Sequence, residues 1–327
     1  MACLGPASLA AAPVFQDAQL KVDLISEPKP ILPGQPFTVG LRFQPKPGWH
    51  IYWKNPGDSG MAPSVKWRLP QGYTAGPLHF PFPEKILAPP LVSYGYETET
   101  VLLTEITPPS DLILPRKLPI AVDVEWLVCK EICLPGKASL DLTVPASPKD
   151  NVDLQGLFDE IRREMPLRNS SLSVQAGQKD GFLEISVANA PELGSLCFFP
   201  AEGDYPDEFQ PAQTQKKGNR QVLRVPLKKD AKLPDTLNGI LVAEKPWDSS
   251  GHRALELLIP MKSKLSSTST SDLPLIFLFA FLGGLILNVM PCVFPVLSLK
   301  ALHLVQLSGE SRSSARSEGL GRGRPFR

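Results

Sequence analysis

The stretch 119–133, PIAVDVEWLVCKEIC, decides how the rest of the chain is read. Val122, Val124, Trp126 and Val128 recur at every second position, with Asp123 and Glu125 between them. A period of two, with β-branched and aromatic residues on one side and carboxylates on the other, is the pattern of a half-buried strand. The strand runs into Cys129, three residues intervene, and Cys133 opens toward a second alternating run, ASLDLTV at 138–144. The expectation is a tight hairpin bracketed by two cysteines.

Outward from this hairpin the same pattern repeats. On the N-terminal side, QLKVDLIS (19–26), PFTVGLRFQ (36–44), HIYWK (50–54), SVKWRLP (64–70) and TVLLTEIT (100–107) read as short strands separated by Pro and Gly turn signals. An antiparallel β-sandwich over 14–147 is the natural architecture. PASPKDNV (145–152) then reads as a linker, and Leu154, Leu157, Phe158, Ile161 and Met165 fall at helical spacing in the segment after it. SLSVQ, FLEISVA, LCFFPA, QVLRVPL, NGILVAE and ALELLIPM follow as a second set of strands, so 148–264 is read as a helix plus a second, smaller sandwich. Cys197, inside LCFFPA, is read as a buried apolar cysteine rather than a reactive one.

The chain has 327 residues, enough for two ordinary domains and an appendage. Its 34 Lys and Arg nearly balance 33 Asp and Glu, which leaves no general field to attract nucleic acid. The beginning, MACLGPASLAAAPVFQ, has small residues as at a signal-peptidase site but no basic or fully apolar lead, so 1–13 is read as the remnant of a signal peptide that includes Cys3. After a polar linker at 265–272, residues 273–299 carry no charge and are expected to span a membrane. Arg312, Arg316, Arg322, Arg324 and Arg327 in the tail at 300–327 outnumber Glu310 and Glu318, which puts the tail on the cytoplasmic side and the β-domains outside it.

Two cysteines facing each other across a hairpin lie within the ~5.5 Å Cα separation that a disulfide needs. So small a ring contributes little loop entropy, which weakens a purely structural role, whereas exposed disulfides are readily exchanged. Spacing alone leaves three readings open: a redox pair, a structural bridge, or half of a metal site. Zinc would require further ligands, and His50, His79, His252 and His303 are scattered. Lys130 favours a neighbouring thiolate and Glu131 opposes it, so local charge does not choose an attacking sulfur. In NVMPCVFPVL, Cys292 lies between Pro291 and Pro295, which interrupt a helix and open irregular backbone at membrane depth.

In order along the chain, GWHIYWKNPGDSG, SYGYETE, WLVCKEIC and LNVMPCVFPVLSLK resemble the DsbD family of thiol:disulfide interchange proteins, in its ScsB-like branch. The resemblance implies two immunoglobulin-like antiparallel β-sandwiches followed by one transmembrane helix. It also implies a periplasmic location at the bacterial inner membrane, and disulfide reduction of thioredoxin-like periplasmic partners, cytochrome c biogenesis among their tasks. Electrons would arrive from the remaining membrane domain, with no dissociable cofactor, no metal and no nucleic acid. Cys129 and Cys133 match the exported pair, and Cys292 the cysteine of the first membrane helix. Tyr94 and Gly95 fall where the family has a cap loop whose aromatic residue covers the disulfide. Trp49, His50 and Tyr52 fall in the aromatic stretch near the pair. The hairpin spacing is shorter than in the best-known members, and the second membrane cysteine and the thioredoxin-like domain are missing, so the chain is read as the front part of a longer protein. Two rivals remain: a membrane-anchored β-sandwich binding module with a structural disulfide, and a copper-tolerance protein using soft ligands near Met290 and Cys292.

Overall fold

The computed structural model describes residues 15–111, 117–147, 152–168, 172–261 and 278–282. The first part of the chain forms β1 (Phe15–Gln16), β2 (Leu20–Ser26), β3 (Phe37–Pro45), β4 (His50–Gly57), β5 (Ser64–Arg68), β6 (Thr74–Ala75), β7 (Glu84–Ala88), β8 (Leu91–Tyr96), β9 (Thr100–Thr107), β10 (Lys117–Cys129) and β11 (Cys133–Pro145). One sheet has the order β1-β2-β3-β9-β6, and the other β11-β10-β4-β8-β7 with β5 also paired to β10. All these pairings are antiparallel. The alternation in 119–133 does what its period requires. Ile120, Val122, Val124, Trp126 and Val128 enter one apolar cluster together with Leu24, Leu41, Phe43 and Leu102 of the facing sheet, and Asp123 and Glu125 stay at the surface.

Helix α1 (Val152–Glu164) follows. Asp153 in its first turn and Arg162 and Arg163 in its last complement the helix dipole, and Pro166 cannot continue it. Its buried Phe158 and Ile161 pack on Ile25, Val101 and Leu103, on the outer face of the first β2–β3–β9 layer. Arg162 holds Glu27 through both terminal guanidinium nitrogens.

The second part forms β12 (Ser173–Lys179), β13 (Phe182–Ala188), β14 (Leu196–Pro200), β15 (Gln213–Lys217), β16 (Arg220–Pro226), β17 (Thr236–Ala243) and β18 (Ala254–Pro260). They build two antiparallel sheets, β12-β13-β16-β15 and β14-β17-β18, around a second core of Leu183, Ile185, Leu223, Leu241 and their neighbours. The two halves share packing: Phe199, Ile240, Val242 and Ala254 from the second half belong to the first core.

Mainly β architecture with sandwich-like paired sheets therefore agrees with the sequence expectation. The apolar run 273–299 lies outside the described residues except for 278–282, which are helical. No helix among the described residues is long and apolar enough to cross a membrane. Residues 1–13, Cys292 and the basic tail also fall outside the described residues.

Candidate redox site

The β10–β11 hairpin is paired without a break from Lys117↔Pro145 down to Cys129↔Cys133. This continuous ladder delivers the two cysteines to directly opposite positions at its tip. Their Cα atoms are 4.2 Å apart and their sulfurs are bonded at 2.04 Å. The loop Lys130–Glu131–Ile132 closes on itself through the Lys130 N–H, which donates to the Ile132 carbonyl at 3.2 Å. The Lys130 side chain crosses Gly48, in the turn that leads into β4, where an added Cβ would lie 3.2 Å from its Cε.

The two cysteines differ in burial. Cys129 is 2% exposed, whereas Cys133 lies at the surface beside Ile132, which is 63% exposed. Successive strand residues point to opposite faces, so Cys129 lies on the face away from the Trp126 and Val128 core. Its register partner on β4 is His50. Tyr52, two residues on, shares that face and meets the His50 ring edge-on at 5.2 Å.

The Tyr52 hydroxyl is 3.4 Å from Cys133 Sγ. A disulfide sulfur carries no hydrogen, so the phenol is the donor. Burial raises the Tyr52 pKa, an effect partly offset by the hydroxyls of Ser59 and Ser93, so the group stays protonated and able to donate. Burial lowers the His50 pKa, against a weaker pull from Glu97, so the imidazole beside the pair is neutral at pH 7. The site thus offers a neutral hydroxyl donor rather than an imidazolium to a thiolate formed at Cys133.

Tyr52 is itself bedded. It pairs with Gly95 on β8, and a Cβ on Gly95 would overlap the Ile51 carbonyl oxygen. From above, Gly60 (φ +110°) lies so close to the Tyr52 ring that any Cβ there would overlap it. The structure therefore brings Cys129, Cys133, His50, Tyr52 and Gly95 together on one face. Tyr94 goes elsewhere. As the neighbour of Gly95 on the same strand it points to the core face. There its hydroxyl donates to Glu208 Oε1 at 2.6 Å and its ring meets Phe199 edge-on at 5.4 Å. The tyrosine touching the disulfide is Tyr52, where sequence reasoning had placed Tyr94. The lid over Tyr52 is the loop 58–60, at the end of GWHIYWKNPGDSG, where nothing in the sequence marks these three residues as a cover for the tyrosine. Trp49 is partly buried against the first core.

Cys197 is a free, partly buried thiol on β14. Burial raises its pKa, with Lys85 opposing, so it is a poor nucleophile. Among the described residues no three His, Cys, Asp or Glu side chains gather as a metal site.

Residues 16–145, the span that holds this hairpin, match the family model of the N-terminal part of the thiol:disulfide interchange protein DsbD. The first sandwich is a DsbD-type N-terminal domain. The crystal structure of the N-terminal periplasmic domain of ScsB from Proteus mirabilis is similar to this chain at a TM-score of 0.54 and 18% identity, covering 76% of this chain and 98% of that one. At that identity the likeness is one of fold, and it extends beyond the DsbD-type domain into the second sandwich. BcpA, the major pilin subunit of Bacillus cereus, matches at a TM-score of 0.24 and 7% identity over 75% of this chain and 69% of that one, too loosely to carry an argument. No curated protein matches the chain. A first sandwich of the DsbD N-terminal type and a bonded cysteine pair together support thiol–disulfide exchange as the general chemistry.

Proposed function

We propose that this chain passes reducing equivalents to thioredoxin-like proteins in the periplasm through Cys129 and Cys133, which a DsbD-type membrane domain re-reduces. In this reading the sandwiches are immunoglobulin-like, 273–299 is the first membrane helix, and Cys292 is one of the thiols that supply the electrons. The observation that carries the proposal is the asymmetry of the pair: a surface residue, Cys133, whose sulfur meets a hydroxyl donor, bonded to a buried Cys129.

In the reduced form the Cys133 thiolate attacks a partner disulfide. A mixed disulfide forms, and one partner sulfur leaves as thiolate. The Cys129 thiolate then attacks Cys133 Sγ, which closes the intramolecular bond and expels the second partner sulfur. Two electrons pass to the partner, which takes up two protons as its thiolates are neutralised, while the pair gives up two. The Tyr52 hydroxyl stabilises charge on Cys133 when that sulfur is attacking or leaving.

Trapping tests this reading against a purely structural bridge. With Cys129→Ser the first step proceeds and the second cannot, so a mixed disulfide through Cys133 should accumulate with a thioredoxin-like protein under mild oxidation. A variant that collects no such adduct rejects the exchange function.

A further inference from the structure

The second sandwich grips the two strands that carry Tyr52 and Gly95. Asn55 on β4 donates to the carbonyls of Pro200 and Gly203 at 2.9 and 3.2 Å. Phe199 lies edge-on to both Trp53 on β4 and Tyr94 on β8. Glu208 accepts from Tyr94 and is ion-paired with Lys85 on β7. Lys228, just after β16, bridges Asp204 of its own half and Asp58 of the first, the latter at 3.2 Å.

Asp58 is where this grip meets the redox site. Its carboxylate accepts the Val92 N–H at 2.7 Å, and its own N–H donates to the Val92 carbonyl at 2.9 Å, so it ties the loop 58–60 to β8. Ser93 Oγ reaches the Ser59 carbonyl at 3.5 Å. The next residue, Gly60, is the one lying on the Tyr52 ring, and Tyr52 is the residue touching Cys133. The route runs through packed and hydrogen-bonded groups without a gap: Lys228, Asp58, the loop 58–60, Tyr52, Cys133.

We infer that the second sandwich is a positioning element for the redox pair, and that Lys228, by holding Asp58 and the loop over Tyr52, sets the hydroxyl against Cys133. The inference rests on the exchange reading of that pair, and it gives the second sandwich a task in the chemistry. Lys228 is a positioning residue, since it touches neither sulfur. An ion pair this exposed adds little to global stability. Its effect is therefore expected in the properties of the pair rather than in the melting temperature.

The test uses the full chain and dithiothreitol, a small thiol that needs no docking surface. Lys228→Ala is compared with wild type, with Tyr52→Phe, with the double variant, and with Lys245→Ala, a surface lysine of the second sandwich that pairs with exposed Glu192. The readouts are the rate of disulfide cleavage, the midpoint potential of the pair and the pH dependence of Cys133 alkylation. Lys228→Ala should change the cleavage rate by about threefold and shift the potential and alkylation profile with it. In the Tyr52→Phe background the same substitution should change nothing further, and Lys245→Ala should match wild type. Asp58→Asn, which keeps a side-chain acceptor for Val92 while losing the ion pair, should reproduce Lys228→Ala. Equal values for Lys228→Ala and wild type, or an undiminished effect without the Tyr52 hydroxyl, would overturn the inference. Failure of the exchange function itself is seen separately, as a missing partner adduct with an unaltered response to dithiothreitol.

Discussion

The Tyr52 hydroxyl and Cys133 Sγ, 81 positions apart in the chain, lie 3.4 Å from each other because β4 and the β10–β11 hairpin are neighbours in one sheet. Tyr52→Phe keeps the ring under Gly60 and removes the hydroxyl, with its contacts to Cys133, Ser59 and Ser93. A hydrogen bond of this kind contributes about 1 kcal/mol, so exchange at Cys133 should slow by about fivefold. The Cys133 thiol pKa in the reduced protein should rise. Dithiothreitol kinetics and thiolate absorbance across pH check both, and an unchanged pKa would remove Tyr52 from the mechanism.

The difference in burial between the two cysteines has a direct chemical reading. In the reduced protein, Cys133 should react with iodoacetamide about tenfold faster than Cys129 or more, since thiol reactivity requires access as well as thiolate character. Peptide mapping after brief alkylation gives the ratio. Equal labelling would mean that the hairpin tip opens when the bond is reduced.

Ile132 presents an apolar side chain to solvent immediately before the exposed cysteine. An apolar group in that place suits a docked partner better than bulk water. Ile132→Asp should lower kcat/KM toward a thioredoxin-like partner by about tenfold and leave the dithiothreitol rate within about twofold of wild type. A parallel fall in both rates would assign Ile132 to the hairpin's own structure.

His50 supplies a pH dependence. Burial holds its pKa below the ordinary 6.5, so on acidification the unfolded chain takes up this proton before the folded one does. The contribution of His50 to stability is complete above the unfolded pKa and is lost as pH falls through 6.5 toward the folded value. His50→Gln should therefore flatten the stability–pH curve on the acidic side of neutrality, as measured by urea unfolding at about pH 7.5 and about pH 5.5. An identical slope in the variant would show that other groups carry it.

Gly95 is the strand residue on which Tyr52 is registered, and the Ile51 carbonyl leaves it no room for a methyl group. Gly95→Ala should cost about 1–3 kcal/mol as β4 and β8 are pushed apart. It should also weaken the Tyr52 contact, so a loss of stability accompanied by slower exchange is expected. Unfolding and dithiothreitol assays on the same sample separate it from Tyr52→Phe, which should affect exchange alone.

Where apolar alternation was strong, the sequence was a sufficient guide: Phe182–Ala188 and Thr100–Thr107 form strands over the very residues whose pattern announced them. The β7–β8 hairpin escaped because Pro89 and Pro90 read as a break and because SYGY reads as a motif rather than a strand. That omission also misplaced Tyr94, since a loop residue can turn toward the disulfide whereas a strand residue is bound to one face. Gln213–Lys217 escaped for the opposite reason, being a polar edge strand with no apolar face to reveal it. The cysteine pair was legible from spacing. The family resemblance put Tyr52 near the pair, but its contact with Cys133 was not legible in any local pattern, because it depends on which strands become neighbours.

Helix α1 bears on how the protein can be cut for experiment. The sequence invites a border at 147, ahead of the helix, yet Phe158 and Ile161 cover Ile25, Val101 and Leu103 of the DsbD-type domain, and Arg162 neutralises Glu27, whose side chain is 3% exposed. A fragment ending before Val152 would expose that apolar patch to water and deprive the carboxylate of its guanidinium, inviting self-association during purification. A fragment carried through Glu164 keeps both covered, so a redox piece must include the helix that a reader of the linear sequence would discard, and keeping the first core whole also takes Phe199, Ile240, Val242 and Ala254 of the second half.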